Sequence, residues 1–138
     1  MENILETLAA HARERTAAAK SLRPEAELKA AVRELPDDAF PPAFAFERAL
    51  RRENGRTAII CECKKASPSK GLIASDFPYL QIAREYEEAG ADCISVLTEP
   101  KWFLGSDEYL KEIAKEVSVP CLRKDFTVDE YMIYQAKC

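Results

Sequence analysis

The chain has 138 residues, 47% hydrophobic and 32% charged, with a formal net charge of −4. That balance suits one soluble globular domain and excludes a disordered or collagen-like chain. The mild acidity argues against a nucleic-acid partner, which needs a basic stripe, and the sequence has no run of about 18 apolar residues to span a membrane.

The opening Met1-Glu2-Asn3-Ile4-Leu5 lacks the basic-then-apolar layout of a signal peptide, so a cytoplasmic location is expected. Residues 2–20 read as a helix: Ile4, Leu5, Leu8 and Ala12 recur at helical spacing, and Ala17-Ala18-Ala19 has high propensity. His11, the one histidine, lies on this helix far from any polar cluster and is expected at the surface. Pro24 starts a second helix over 25–35. Pro36-Asp37-Asp38 and Pro41-Pro42 break the chain. Phe44, Phe46 and Leu50 mark a third helical piece closed by Asn54-Gly55. Its basic residues Arg48, Arg51 and Arg52 read as a solvated helix end favoured by the dipole rather than a binding patch.

Residues 59–64 read as a strand. Alternation gives Ile59, Cys61 and Cys63 one apolar face, and gives Ile60, Glu62 and Lys64 the other. A half-exposed antiparallel strand shows the same alternation. The segments that follow favour a parallel layout, because strand, polar loop and helix repeat. A helix over 79–89 carries Leu80, Ile82, Ala83 and Tyr86 and stops at Gly90; residues 93–98 form the next strand. The loop Glu99-Pro100-Lys101-Trp102-Phe103-Leu104-Gly105-Ser106 holds two adjacent aromatics, which either roof a core or stack on a ring substrate. Ser106 is the expected N-cap of a helix over 107–117. Residues 120–123 begin a third strand that continues into Lys124-Asp125-Phe126, with Lys124 and Phe126 on one face; Asp129 caps a last helix.

Strand-to-strand spacing of about 30 residues matches right-handed parallel βαβ units. No strand is followed by Gly-x-Gly-x-x-Gly, and Ser67-Pro68-Ser69-Lys70-Gly71 lacks the spacing of a phosphate-cradling loop. The cysteines number five, and Cys61, Cys93 and Cys121 fall in predicted strands as small hydrophobes of a reducing compartment. Cys61 and Cys63 share a face, but no second Cys/His pair at zinc spacing accompanies them, so no metal site is expected.

Four motifs occur in order: Glu62-x-Lys64-x-x-Ser67-Pro68-Ser69, Ser95-Val96-Leu97-Thr98-Glu99, Trp102-Phe103-x-Gly105-Ser106 and Leu122-Arg123-Lys124-Asp125-Phe126. Together they resemble the N-terminal part of the indole-3-glycerol phosphate synthase family of tryptophan biosynthesis, strongly over residues 40–138 and, before that, as the family's helical extension. The resemblance implies an α/β fold, the N-terminal portion of a (β/α)₈ TIM barrel: an extension over 1–55, then three βα units over 56–138. It implies a carboxy-lyase without metal or cofactor, acting on a phosphorylated small molecule. That reaction closes the pyrrole ring of 1-(o-carboxyphenylamino)-1-deoxyribulose 5-phosphate with loss of carbon dioxide and water.

Carried over by the resemblance, Lys124 is the catalytic general acid, Lys64 partners the substrate carboxylate, and Glu62 is a catalytic residue coupled to the lysine pair. Ser67 lines the substrate site, and Phe103 and Phe126 flank the anthranilate ring. The residue types suit the chemistry: a ketose carbonyl attacked by an aromatic carbon needs a proton donor, and a departing carboxylate needs a cation. A complete barrel needs eight strands and about 250 residues. The family's second catalytic glutamate, its asparagine and its phosphate site have no counterpart here. A truncated chain is therefore expected, inactive alone and either prone to self-association through unpaired strand edges or only partly folded. Two other readings stand beside this one: a barrel enzyme using Lys124 as an aldolase-type Schiff-base nucleophile, and a non-enzymatic assembly module.

Overall fold

The computed structural model describes residues 3–39, 41–51 and 55–138. They form two compact units, one comprising Met1–Phe40 with Phe126–Cys138 and the other Pro41–Asp125.

The first unit is helical. Helix α1 spans Ile4–Leu22, its first turn capped by Asn3, whose side chain accepts the Leu5 N–H at 3.1 Å. Helix α2 (Glu25–Arg33) starts after Pro24, whose fixed φ of −56° suits a helix entry. A single 3-10 turn follows at Asp37–Ala39. The last helix of the chain, Glu130–Gln135, belongs to this unit and starts at Asp129, whose Oδ1 accepts the Tyr131 N–H at 2.8 Å. Leu8, Ala12, Leu28, Tyr131 and Met132 are its buried hydrophobic residues. The Tyr131 hydroxyl donates to the carbonyls of Ala19 (3.2 Å) and Arg23 (3.0 Å), serving the C-terminal end of α1. Around it Lys20 pairs with Glu25 (3.1 Å) and Asp129 (2.8 Å), while Lys29 pairs with Glu25 (2.6 Å) and Glu130 (2.8 Å). His11 is half-buried, not at the surface as expected. It falls one turn from Leu8 and beside Ala12, on the stripe that α1 buries.

The second unit begins with α3 (Ala45–Leu50), entered through Phe44 at φ 58°. It ends at Leu50, where Arg51 is extended, so it closes earlier than the Asn54-Gly55 stop expected from sequence. Arg52 and Asn54 lie outside the described residues. Strand β1 (Ile60–Cys63) leads into a hairpin of two short strands, β2 (Ala66–Ser67) and β3 (Gly71–Leu72). The Ser/Pro/Gly-rich sequence predicts a plain loop there. Gly71, at φ 62°, takes a left-handed conformation that a side chain would strain. Helix α4 (Tyr79–Glu88), strand β4 (Cys93–Leu97), helix α5 (Asp107–Glu116) and strand β5 (Cys121–Lys124) complete the unit; the Glu130–Gln135 helix is α6.

Strands β1, β4 and β5 form one parallel sheet in the order β1-β4-β5. Glu62 pairs with Ser95 and Ser95 with Leu122; Leu97 pairs with Lys124. One face packs on the helices through Cys63, Ile94 and Val96 against Ala83 of α4 and Ile113 of α5. Burial pushes the Cys63 thiol up to about 12 and the Cys121 thiol up to about 11, so both stay protonated core groups. Of the three strands of this sheet, the central β4 is buried along its whole length. Strands β1 and β5 are the edges, as a sheet of three strands requires, and on the face away from the helices Ile60 is 47% and Leu122 40% exposed.

Candidate active site

Side chains alternate along a strand and register partners share a face. Glu62, Lys64, Ser95, Leu97, Leu122 and Lys124 therefore share the face opposite the one that packs on α4 and α5. Continuing the β1–β4 register by one residue sets Lys64 level with Leu97 and Lys124. The two lysines thus flank β4, with backbones roughly 10 Å apart across two strand spacings. All of this lies at the C-terminal ends of parallel strands, where α/β enzymes place their chemistry.

Glu62 is the centre of the cluster. Its Oε1 accepts from Lys64 Nζ at 2.9 Å and its Oε2 from Ser95 Oγ at 3.2 Å, so both carboxylate oxygens are aimed. Its backbone carbonyl accepts the Tyr86 hydroxyl of α4 at 3.3 Å, fixing the strand from behind. The side chains of Glu62 and Lys64 are 33% and 36% exposed. An ion pair that open to water contributes only about 0.2–1 kcal/mol. Placement of a carboxylate and an ammonium, rather than stability, is what the pair provides.

Lys124 is exposed at the end of β5, and both its sequence neighbours are engaged on the helix side. Asp125 Oδ2 accepts from Thr98 Oγ1 at 3.0 Å, and Arg123 pairs with Asp107, the first residue of α5, at 3.0 Å. Ser67 sits in the β2–β3 hairpin, where its Oγ accepts the Lys70 N–H at 3.3 Å. Phe103 lies in the loop after β4, half-buried. Phe126 groups with the first, helical unit, so the sheet unit contains Glu62, Lys64, Ser67, Phe103 and Lys124.

Two further residues of this region, Ser95 and Glu99, are not marked as such by the sequence. Ser95 was visible only as part of a motif; its place opposite Glu62 needs the register. Glu99 was read as a loop residue, yet it is 1% exposed and takes the backbone N–H groups of Lys101, Trp102 and Phe103 at 3.0, 2.7 and 3.1 Å. Its own carbonyl accepts the Gly105 N–H at 2.8 Å. Any Cβ at position 105 would collide with the Leu97 carbonyl, so the loop returns to the strand end at the one residue type that fits. Among the described residues, no group of three or more His, Cys, Asp or Glu side chains could hold a metal ion, and no helix is long and apolar enough to cross a membrane.

A parallel sheet backed by helices, with charged side chains gathered at its strand ends, belongs to the α/β class and corresponds to consecutive units of a (β/α)₈ barrel. The model of one family, described as indole-3-glycerol phosphate synthase, matches residues 5–138. The chain belongs to the indole-3-glycerol phosphate synthase family, a lyase family of tryptophan biosynthesis. It is 63% identical over 93 residues to the indole-3-glycerol phosphate synthase of Ruminiclostridium cellulolyticum, covering 67% of this chain and 35% of that protein. It is 50% identical over 134 residues to that of Lacticaseibacillus casei, covering 97% of this chain and 50% of the relative. With the Lachnoclostridium phytofermentans enzyme of the same name it shares 57% identity over 94 residues, 68% of this chain and 34% of that protein. The chain thus spans about half the length of the Lacticaseibacillus relative.

Proposed function

We propose that this chain supplies the first three βα units of an indole-3-glycerol phosphate synthase active site. The substrate is 1-(o-carboxyphenylamino)-1-deoxyribulose 5-phosphate, and the product forms with loss of carbon dioxide and water. One observation carries the reading: the Glu62 carboxylate, held between Lys64 Nζ and Ser95 Oγ, on the strand face turned away from α4 and α5. Lys124 donates a proton to the ketose oxygen as the aromatic carbon attacks the carbonyl carbon. Lys64 holds and orients the carboxylate that departs as carbon dioxide, its ammonium pairing with that charge. Glu62 keeps Lys64 in place and accepts the carbon-bound proton given up in dehydration, while a lysine ammonium protonates the departing hydroxyl. Ser67 lines the site, and Phe103 flanks the anthranilate ring.

Three strands are fewer than the eight of a closed barrel, so the chain alone is inactive in this reading and turns over only when the remaining strands are supplied. The test is to mix it with the C-terminal half of the Lacticaseibacillus casei relative and follow indole-glycerol phosphate fluorescence. Turnover by the mixture and none by either part supports the proposal. Turnover by the isolated chain overturns its second clause, and a folded mixture without turnover overturns the first. Trapping of substrate on Lys124 by borohydride would instead favour Schiff-base chemistry.

A further inference from the structure

We infer that Glu99 is a positioning residue, which fixes residues 99–105 in one shape and so holds Phe103 at the mouth of the strand ends. The inference rests on the reading that Phe103 flanks the substrate ring. Glu99 follows directly on Thr98 at the end of β4, between the strands that carry Lys64 and Lys124. At 1% exposure, a carboxylate here has given up its water shell. Such a group is retained only where protein donors replace the water. The donors are consecutive backbone N–H groups: Lys101 on Oε1, Trp102 and Phe103 on Oε2. Three successive amides turned toward one side chain dictate the course of the backbone, and Phe103 is the last of them.

The far end of the loop is fixed independently. Leu104 takes a left-handed φ of 51°, and Gly105 returns its N–H to the Glu99 carbonyl at 2.8 Å, against the Leu97 carbonyl. With both ends closed on β4, the loop backbone that carries Phe103 needs no ordering when a ring arrives. Binding therefore avoids the entropy cost of immobilising a loop. Lys101 Nζ stands over the Trp102 ring at 4.5 Å, so the outward residues of the loop also face one another.

The chain has one tryptophan, Trp102, and it lies within this loop, which gives a direct probe. Acrylamide quenching of its fluorescence should rise in Glu99→Ala. In Glu99→Gln it should rise less, because the amide oxygen can replace Oε2 for Trp102 and Phe103 while the amide nitrogen faces the Lys101 N–H. Far-UV circular dichroism confirms that each variant is folded, and the Gln variant covers the case in which Ala is not. In the mixture with the relative's C-terminal half, Glu99→Ala should raise KM about tenfold with kcat little changed. Glu99→Ala combined with Phe103→Ala should then cost no more than Phe103→Ala alone, since both act through one contact. Unchanged quenching in both Glu99 variants, or losses that multiply in the double variant, overturns the inference. If the unsubstituted mixture forms no product, the functional reading falls, and quenching alone still decides whether Glu99 fixes the loop.

Discussion

Thr98 Oγ1 and Asp125 Oδ2 meet at 3.0 Å, joining the residue after β4 to the residue after β5. Arg123, on the other side of Lys124, is held by Asp107 at 3.0 Å. The two neighbours of Lys124 are thus both fixed toward the helices, and alternation sends Lys124 to the other face. In the complemented enzyme, Lys124→Met should remove ring closure while leaving substrate binding largely intact. Loss of a positioned general acid costs about 10²–10⁴-fold in rate. Steady-state kinetics check this, and turnover within about tenfold of the parent would sink the assignment.

Glu62→Gln should lower turnover while changing stability by less than about 0.5 kcal/mol, the range of a partly solvated substitution. The carboxylate bridges Lys64 and Ser95, and the amide keeps its shape but not its charge. A kinetic assay beside a melting curve separates the effects. Loss of stability with unchanged rate would make Glu62 structural.

Tyr131→Phe should destabilise the helical unit by about 0.5–1.5 kcal/mol, the net worth of a typical hydrogen bond. The hydroxyl reaches the carbonyls of Ala19 and Arg23 from a side chain in a residue only 3% exposed. Denaturant midpoints of the two proteins, compared at equal slope, give the number.

Acid should loosen α6 from α1 and α2. Hydrogen bonds from Lys29 and Lys20 hold the Glu25 carboxyl down at about 2 from its ordinary 4.5, and Lys20 also lowers Asp129. A carboxyl depressed on folding contributes stability that is complete above its unfolded value and is lost as pH falls through its folded one. The loss therefore runs from about pH 4.5 down to about pH 2. Amide protection in α6, taken relative to intrinsic exchange at each pH, should fall across that window and, because these groups face solvent, also in high salt. Equal protection at pH 6 and pH 2.5 would contradict it.

The isolated chain should self-associate. Strands β1 and β5 are the sheet edges, with Ile60 and Leu122 half-open beside their outer backbone groups, and such edges template pairing with another chain. Light scattering across a concentration series should show mass rising above the monomer; a constant monomer mass would refute it.

Periodicity and caps were legible in the sequence: Ser106 and Asp129 cap α5 and α6 as their residue types foretold, and the three parallel strands stand where alternation put them. The hairpin β2–β3 was not, because strands of two residues are too short to alternate. His11 was misplaced although Leu8, His11 and Ala12 keep helical spacing; a polar residue type outweighed its position. Glu99 was invisible as an anchor, since nothing in a residue's identity reveals that three amides will converge on it. For Phe126, strand alternation gave a face, but the chain leaves the sheet unit after Asp125.

The close approach of Gly105 to the Leu97 carbonyl leaves no room for even a methyl group. Residue insertions and deletions between 99 and 105 would move this glycine out of register with that carbonyl. Side-chain variation on this loop must then come at constant length, with 101 and 102 the positions free to diverge, since Leu104 is held at φ 51°. For directed evolution this defines a small library: randomise those two sites and leave the frame of Glu99 and Gly105 untouched.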